Sequence, residues 1–169
     1  MRPDTLFEEK QRFTQWWLWV LLLAVNTPFL WGIYQQIIKG IPFGDKPMSD
    51  TALLLTAGLI LLVTTSLLFV RLETYIYKDR IEARFFPLQL KTALYYWDDV
   101  EDAVVRTYAP LKEYGGWGLR YSFSGHGKAL NCSGNRGLQL VLKSGKKILI
   151  GTNKSDELAY TIEKIKVSK

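Results

Sequence analysis

One cysteine and one histidine in 169 residues leave little room for several kinds of chemistry. Cys132 alone can form neither an intramolecular disulfide nor a cysteine-rich metal site. A lone thiol also suits a reducing compartment. His126 stands by itself in the Gly-rich stretch "SGHGK" and reads as an exposed, ordinary side chain. A catalytic triad would need a placed nucleophile and an acid beside it. Charge is missing as well, but only locally. From Phe13 to Ile38 there are 26 residues without one, and from Thr51 to Val70 there are 20.

About 20 apolar residues in a helix span a bilayer core. Both charge-free runs reach that length, so two transmembrane helices are expected, about 13–38 and 51–70. The first run carries Trp at both ends, as membrane-interface belts do. In the second, the only polar side chains are Thr and Ser, whose hydroxyls can bond back to the preceding turn. Pro28 in "NTP" is expected to kink the first helix, its freed carbonyl satisfied by Thr27 or by the second helix. The intervening "KGIPFGDKPMSD" breaks the helix, and Ser49 and Asp50 suit the cap of the next one.

A short turn makes the spans a hairpin with both termini on one side. The turn holds Lys39 and Lys46, whereas Arg2, Lys10, Arg12, Arg71, Lys78, Arg80 and Arg84 flank the spans on the other side. The positive-inside rule then places both termini in the cytoplasm. This gives a cytoplasmic tail over 1–12, a hairpin over 13–70 and a cytoplasmic domain over 71–169, in a multi-pass protein of the cell (inner) membrane. The spans contain no ionisable residue, and two helices enclose no pore, so transport by a monomer is not expected.

All of the net charge of +6 lies in the last 99 residues, with 17 Lys and Arg against 11 Asp and Glu. That region reads as short strands separated by Gly and Asn turns: "RLETYIYKD", "RIEARFFPLQLKTALYYW" broken at Pro87, "VEDAVVRTY", "GLRYSF", "KALNCSG", "GLQLVLKSG" and "KKILIGT". In the first, Leu72, Thr74 and Ile76 alternate with Glu73, Tyr75 and Tyr77. "KSGKK" is a hairpin turn. "NKSDELAYTIEKIK" is different: Leu158, Ile162 and Ile165 fall on one helical face, which should cover the mouth of the barrel. The fold class is α+β: a two-helix transmembrane hairpin, then an antiparallel barrel or sandwich of about seven strands capped by a C-terminal helix.

That plan is the plan of a pleckstrin-homology-like (PH-like) domain. "YYWDDVEDAVV", "APLKEYGGWGLRYS", "NCSGNRGLQLVLKSGKKILIGT" and the following "SDEL" carry the resemblance. The chain resembles the small bacterial membrane proteins in which two transmembrane helices precede a bacterial PH-like domain. The resemblance spans roughly residues 72–166 and implies a fold; it brings no activity with it. For a cytoplasmic bacterial domain, the glycosylation patterns "NCS" and "NKS" have no consequence.

Candidate binding residues follow. "APLKEYGGWGLRY" lacks the Lys and Ser/Thr of a phosphate loop and is expected to join two strands, which argues against nucleotide binding. Its glycines suit a tight corner, with Trp117 packed on the domain or, alternatively, a contact surface of Tyr114, Trp117 and Arg120. Lys78, Arg80 and Arg84 faintly resemble the basic residues with which phosphoinositide-binding PH domains hold their ligand; juxtamembrane positive-inside charge is the preferred reading of them. "WDDVED" matches no calcium loop and reads as a solvated strand entry. No catalytic residue, metal or cofactor is expected, and no nucleic-acid partner. The function expected is a membrane-anchored, non-enzymatic module that binds a protein partner or the anionic membrane surface. The alternative is an accessory subunit of a membrane enzyme or transporter. Oligomeric state is left open.

Overall fold

The computed structural model describes residues 4–122 and 125–167; Arg2 and Phe123, both used above, lie outside them. Two compact units emerge. One comprises residues 1–14 and 70–169, the other Gln15–Phe69.

The helical unit begins with α1, Trp16–Ile33, which continues as a π-helical turn over Tyr34–Ile38. Together they make a 23-residue apolar helix, long enough to cross a membrane. α2, Asp50–Ser66, has 17 residues and is shorter than the run in the sequence suggests. Its α-helical bonding stops where Thr64, Thr65 and Ser66 accept from Leu67, Leu68 and Phe69 three residues on, a tighter winding. One clear membrane-length helix therefore stands where two were expected. Ser49 caps α2 by accepting from Ala52 N at 3.3 Å. Asn26 is buried between α1 and α2 and donates to Leu22 O (2.7 Å) and to Thr64 Oγ1 (2.9 Å). Thr27 donates to Leu23 O, one residue short of Ala24, the carbonyl that Pro28 leaves without its helical donor. The turn closes through Gln36 Nε2, which donates to Met48 O and to Asp50 Oδ1.

The other unit opens with a correction. Residues 7–12 are no tail: Phe7–Arg12 is strand β1. It pairs antiparallel with β2 (Arg71–Ile76), which pairs with β3 (Arg80–Phe86), which pairs with β4 (Ala93–Tyr96). The second sheet runs β5 (Val100–Thr107), β8 (Arg136–Leu142), β9 (Lys147–Gly151), β7 (Lys128–Asn131) and β6 (Gly118–Tyr121). The described residues thus hold nine strands in two sheets. Two sources account for the excess over seven: β1, and the separation of "RIEARFFPLQLKTALYYW" into β3 and β4 after Pro87. The sheet is also mixed, because β7 and β9 run parallel. The hairpin at "KSGKK" forms as expected, with Gly145 at φ +78°.

Register aligns Phe7, Ile76 and Ile81 on one face of the first sheet, all at most 1% exposed. Glu9, Thr74 and Ala83 follow, then Gln11, Leu72 and Phe85. Glu9 and Gln11 are buried polar groups with partners in the other half of the fold. Gln11 Nε2 donates to Gly151 O (2.6 Å), Thr152 Oγ1 donates to Glu9 Oε2 (2.6 Å), and Asn153 N donates to Glu9 Oε1 (2.8 Å). β2 is buried on both faces, including Glu73 and Tyr75, so its alternation in sequence does not separate core from solvent. It is a central strand whose second face is covered by long neighbours. α4, Ser155–Val167, buries Leu158, Thr161, Ile162 and Ile165 and packs on β5, β8 and β1.

Candidate functional site

The Gly–Trp stretch does contain a helix, α3, Pro110–Tyr114. Pro110 occupies the first turn, where its missing donor costs nothing, and Gly115 ends the helix in the left-handed region at φ +70°. These Pro and Gly signals were present in the sequence. The helix turns Tyr114 inward. It is 4% exposed, edge-on to Tyr108 at 6.0 Å, and donates to His126 O at 3.3 Å. Tyr114 is therefore core rather than contact surface. Trp117 is half-buried, and its indole N–H donates to Gly134 O at 2.9 Å. Arg120 is exposed, its Nε held by Trp117 O at 3.0 Å. Trp117→Phe should lose that indole bond and cost about 1 kcal/mol in urea denaturation of the folded protein. A change below the error of the midpoint would show that Trp117 contributes no anchoring to the β7–β8 connection.

Around α3 sits a polar cluster that the sequence concealed. Arg106 Nη2 donates to Glu113 Oε2 at 2.6 Å, and Ala109 N donates to Glu113 Oε1 at 2.7 Å. These two bonds, the arginine first, hold the Glu113 carboxyl below its ordinary pKa. His126 Nε2 lies 3.9 Å from Glu113 Oε2, and His126 Nδ1 lies 3.4 Å from Ser122 Oγ. Serine, histidine and glutamate thus meet, contrary to the view of His126 as solitary. The separations exceed those of a working relay, and Glu113 already spends its charge on Arg106. The cluster ties α3 to the β6–β7 connection. Below it, Asn131 is fully buried, accepting from Gly118 N (2.9 Å) and donating to Tyr108 Oη (2.8 Å). Burial pushes the Tyr108 hydroxyl up to about 12 and the Cys132 thiol up to about 12. Cys132 is thus a small buried hydrophobe.

The basic trio separates. Lys78 is exposed in the β2–β3 turn. Arg80 is bound to Asp79 (2.7 Å) and Glu82 (2.9 Å) and lies over the Tyr77 ring. Arg84 is at the other end of β3, over the Phe86 ring at 5.0 Å. Arg80 and Arg84 stand four residues apart along β3, about 13 Å at about 3.3 Å per residue, whereas Lys78 and Arg80 line one cavity at the β2–β3 turn. The three residues do not form one site.

A groove that no motif announced lies between β4, the β6–β7 connection and the β8–β9 hairpin. Its volume is about 640 Å³, and Leu94, Tyr95, Tyr121, Lys128, Lys146 and Lys147 are among its walls. Among the described residues, none of those lining it is acidic. The lysine-rich "KSGKK" hairpin was legible; the tyrosines that face it come from strands distant in sequence. Among the described residues, no group of three His, Cys, Asp or Glu side chains is placed to hold a metal ion. No known protein-family model matches the chain, and no curated protein matches it.

Proposed function

We propose that the protein is a membrane-anchored, PH-like, non-enzymatic module, held at the cytoplasmic face by a two-span hairpin. One observation carries this. The chain leaves the first sheet at Arg12 and re-enters it at Arg71, and these two residues are register partners on adjacent strands. A segment whose two ends are held side by side must cross a bilayer an even number of times or not at all. The segment between them holds the 23-residue helix and α2. At about 1.5 Å per residue α2 is about 26 Å long, and the tightly wound Leu67–Phe69 brings it close to the about 30 Å of a hydrocarbon core. The Asn26–Thr64 bond is the kind of polar tie that joins helices in lipid.

The PH-like assignment is supported by two sheets with a C-terminal helix packed across them; β1 and the parallel β7–β9 pair are additions to that plan. The basic, tyrosine-walled groove suits an acidic segment of a protein partner, including a membrane enzyme or transporter to which this chain would be accessory.

Single cysteines test both parts, since Cys132 is buried and silent. In spheroplasts, Asp45→Cys in the α1–α2 turn should react with an impermeant maleimide, and Tyr160→Cys on α4 should react only after permeabilisation. A benzophenone on Tyr121→Cys should crosslink a partner in native membranes, and Lys146→Glu with Lys147→Glu should suppress that crosslink. Labelling of both positions from outside, or the reverse pattern, would overturn the orientation. A crosslink indifferent to the lysines would overturn the groove assignment.

A further inference from the structure

We infer that the β3–β4 loop, residues 87–92, is a second membrane contact: Leu88 and Leu90 enter the interfacial layer of an anionic bilayer while neighbouring basic side chains meet lipid phosphates. The inference rests on the membrane reading above.

Register supplies the placement. Arg12, Arg71 and Phe86 occupy one rank across β1, β2 and β3. β1 ends at that rank, β2 begins there, and β3 ends there. The two covalent connections to the helical unit and the β3–β4 loop therefore leave the sheet from the same end. The loop begins one residue past Phe86, beside the points where the chain passes to and from α1 and α2.

The loop's chemistry fits that position. Leu90 is 77% exposed and Leu88 is 65% exposed. Leu90 is the most exposed large apolar residue of any strand or loop among the described residues. Leaving two leucines in water costs burial energy that an apolar layer would return. The loop is also bonded back to its strand. Gln89, between the leucines, donates from its backbone N to Phe85 O (2.7 Å) and accepts from Phe85 N through Oε1 (3.3 Å). Arg84 Nε donates to Gln89 O at 3.4 Å. Bonding the middle residue back to β3 on both its main chain and its side chain presents its two neighbours outward.

Charge surrounds the leucines in the pattern of an interfacial anchor. Arg71 and Arg84 lie over the ring of Phe86, at 4.9 and 5.0 Å from its centroid. Arg12 and Lys91 are exposed nearby in sequence and register. Among the described residues, the acidic residue nearest this end in register is Glu73, in the third rank, which Arg71 engages at 2.7 Å. Four basic groups against one acid beside a tethered edge match an acidic lipid surface.

The test uses the full-length chain reconstituted in vesicles of phosphatidylcholine with a minority of phosphatidylglycerol. A polarity-sensitive NBD label is placed, one at a time, at Leu88→Cys, Leu90→Cys, Leu23→Cys in α1 and Tyr160→Cys on the exposed side of α4. Some of the phosphatidylcholine carries a doxyl quencher near the headgroup end of its acyl chain. Interfacial elements reach about 5–10 Å below the headgroups, so emission at positions 88 and 90 should fall about twofold or more on adding the quencher, and emission at 160 should not change. Omitting phosphatidylglycerol should reduce the quenching at 88 and 90. Quenching at 23 without quenching at 88 and 90 would overturn the loop contact and leave the anchor standing. No quenching at 23 would overturn the membrane reading and this inference with it. Equal quenching at 88 and 90 in neutral vesicles would overturn the role given to the basic residues.

Discussion

A chain in which Asn-Gly replaces residues 13–70 is expected to fold as a soluble β-rich protein, and one that starts at Val70 is expected not to fold. Both outcomes follow from β1. Arg12 and Arg71 face each other across an antiparallel pair, so a two-residue type I′ turn of Asn-Gly can join them directly. Removing residues 1–14 as well takes away Phe7, which is 1% exposed and aligned with Ile76 and Ile81. Truncating a buried phenylalanine alone costs about 3–5 kcal/mol. The same deletion strips Gly151 O, Thr152 and Asn153 of the partners that Gln11 and Glu9 provide, and hydrogen bonds to a charged group are worth about 1.5–3 kcal/mol each. Those losses, together with a bared edge on β2, approach the about 5–15 kcal/mol by which whole domains are stable. Circular dichroism and thermal melting would decide it. Cooperative unfolding of residues 70–169 alone, at the midpoint of the joined chain, would show that β1 is dispensable.

Ile162→Ala, made in that joined chain, is expected to cost about 2–5 kcal/mol, as large-to-small changes in a packed core do. Ile162 is 4% exposed, with Leu158 and Ile165 on the same buried face of α4. Tyr160, two residues earlier, is 69% exposed and supplies the internal control: Tyr160→Ala should stay within about 0.5 kcal/mol. Urea midpoints at a common slope would give both values. Similar small shifts for the two variants would mean that α4 does not seal the core against β1, β5 and β8.

Local pattern was enough for some features. An uninterrupted apolar run can only be a buried or membrane-facing helix, so α1 was legible without any knowledge of its neighbours. The spacing of Leu158, Ile162 and Ile165 specified both the existence of α4 and its buried face, because a 3.6-residue period is a property of the segment itself. Gly145 and Pro87 marked their turns for the same reason: backbone permissions belong to single residues. The length of α2 was less legible, because where its last turn tightens depends on which backbone groups find partners.

What escaped the sequence depends on partners far along the chain. "FEEKQR" looks like a polar tail. It becomes a core strand only because β2 offers it a ladder some 60 residues later and because Glu9 and Gln11 find donors and acceptors at 151–153. Tyr114 looked like an anchor until α3 turned it toward Tyr108. The meeting of Ser122, His126 and Glu113, the lysine–tyrosine groove and the shared rank of Arg12, Arg71 and Phe86 are likewise products of strand order and register. Those are set by long-range pairing across two sheets, and neither the identity of a residue nor the period of its segment records which distant strand will lie beside it.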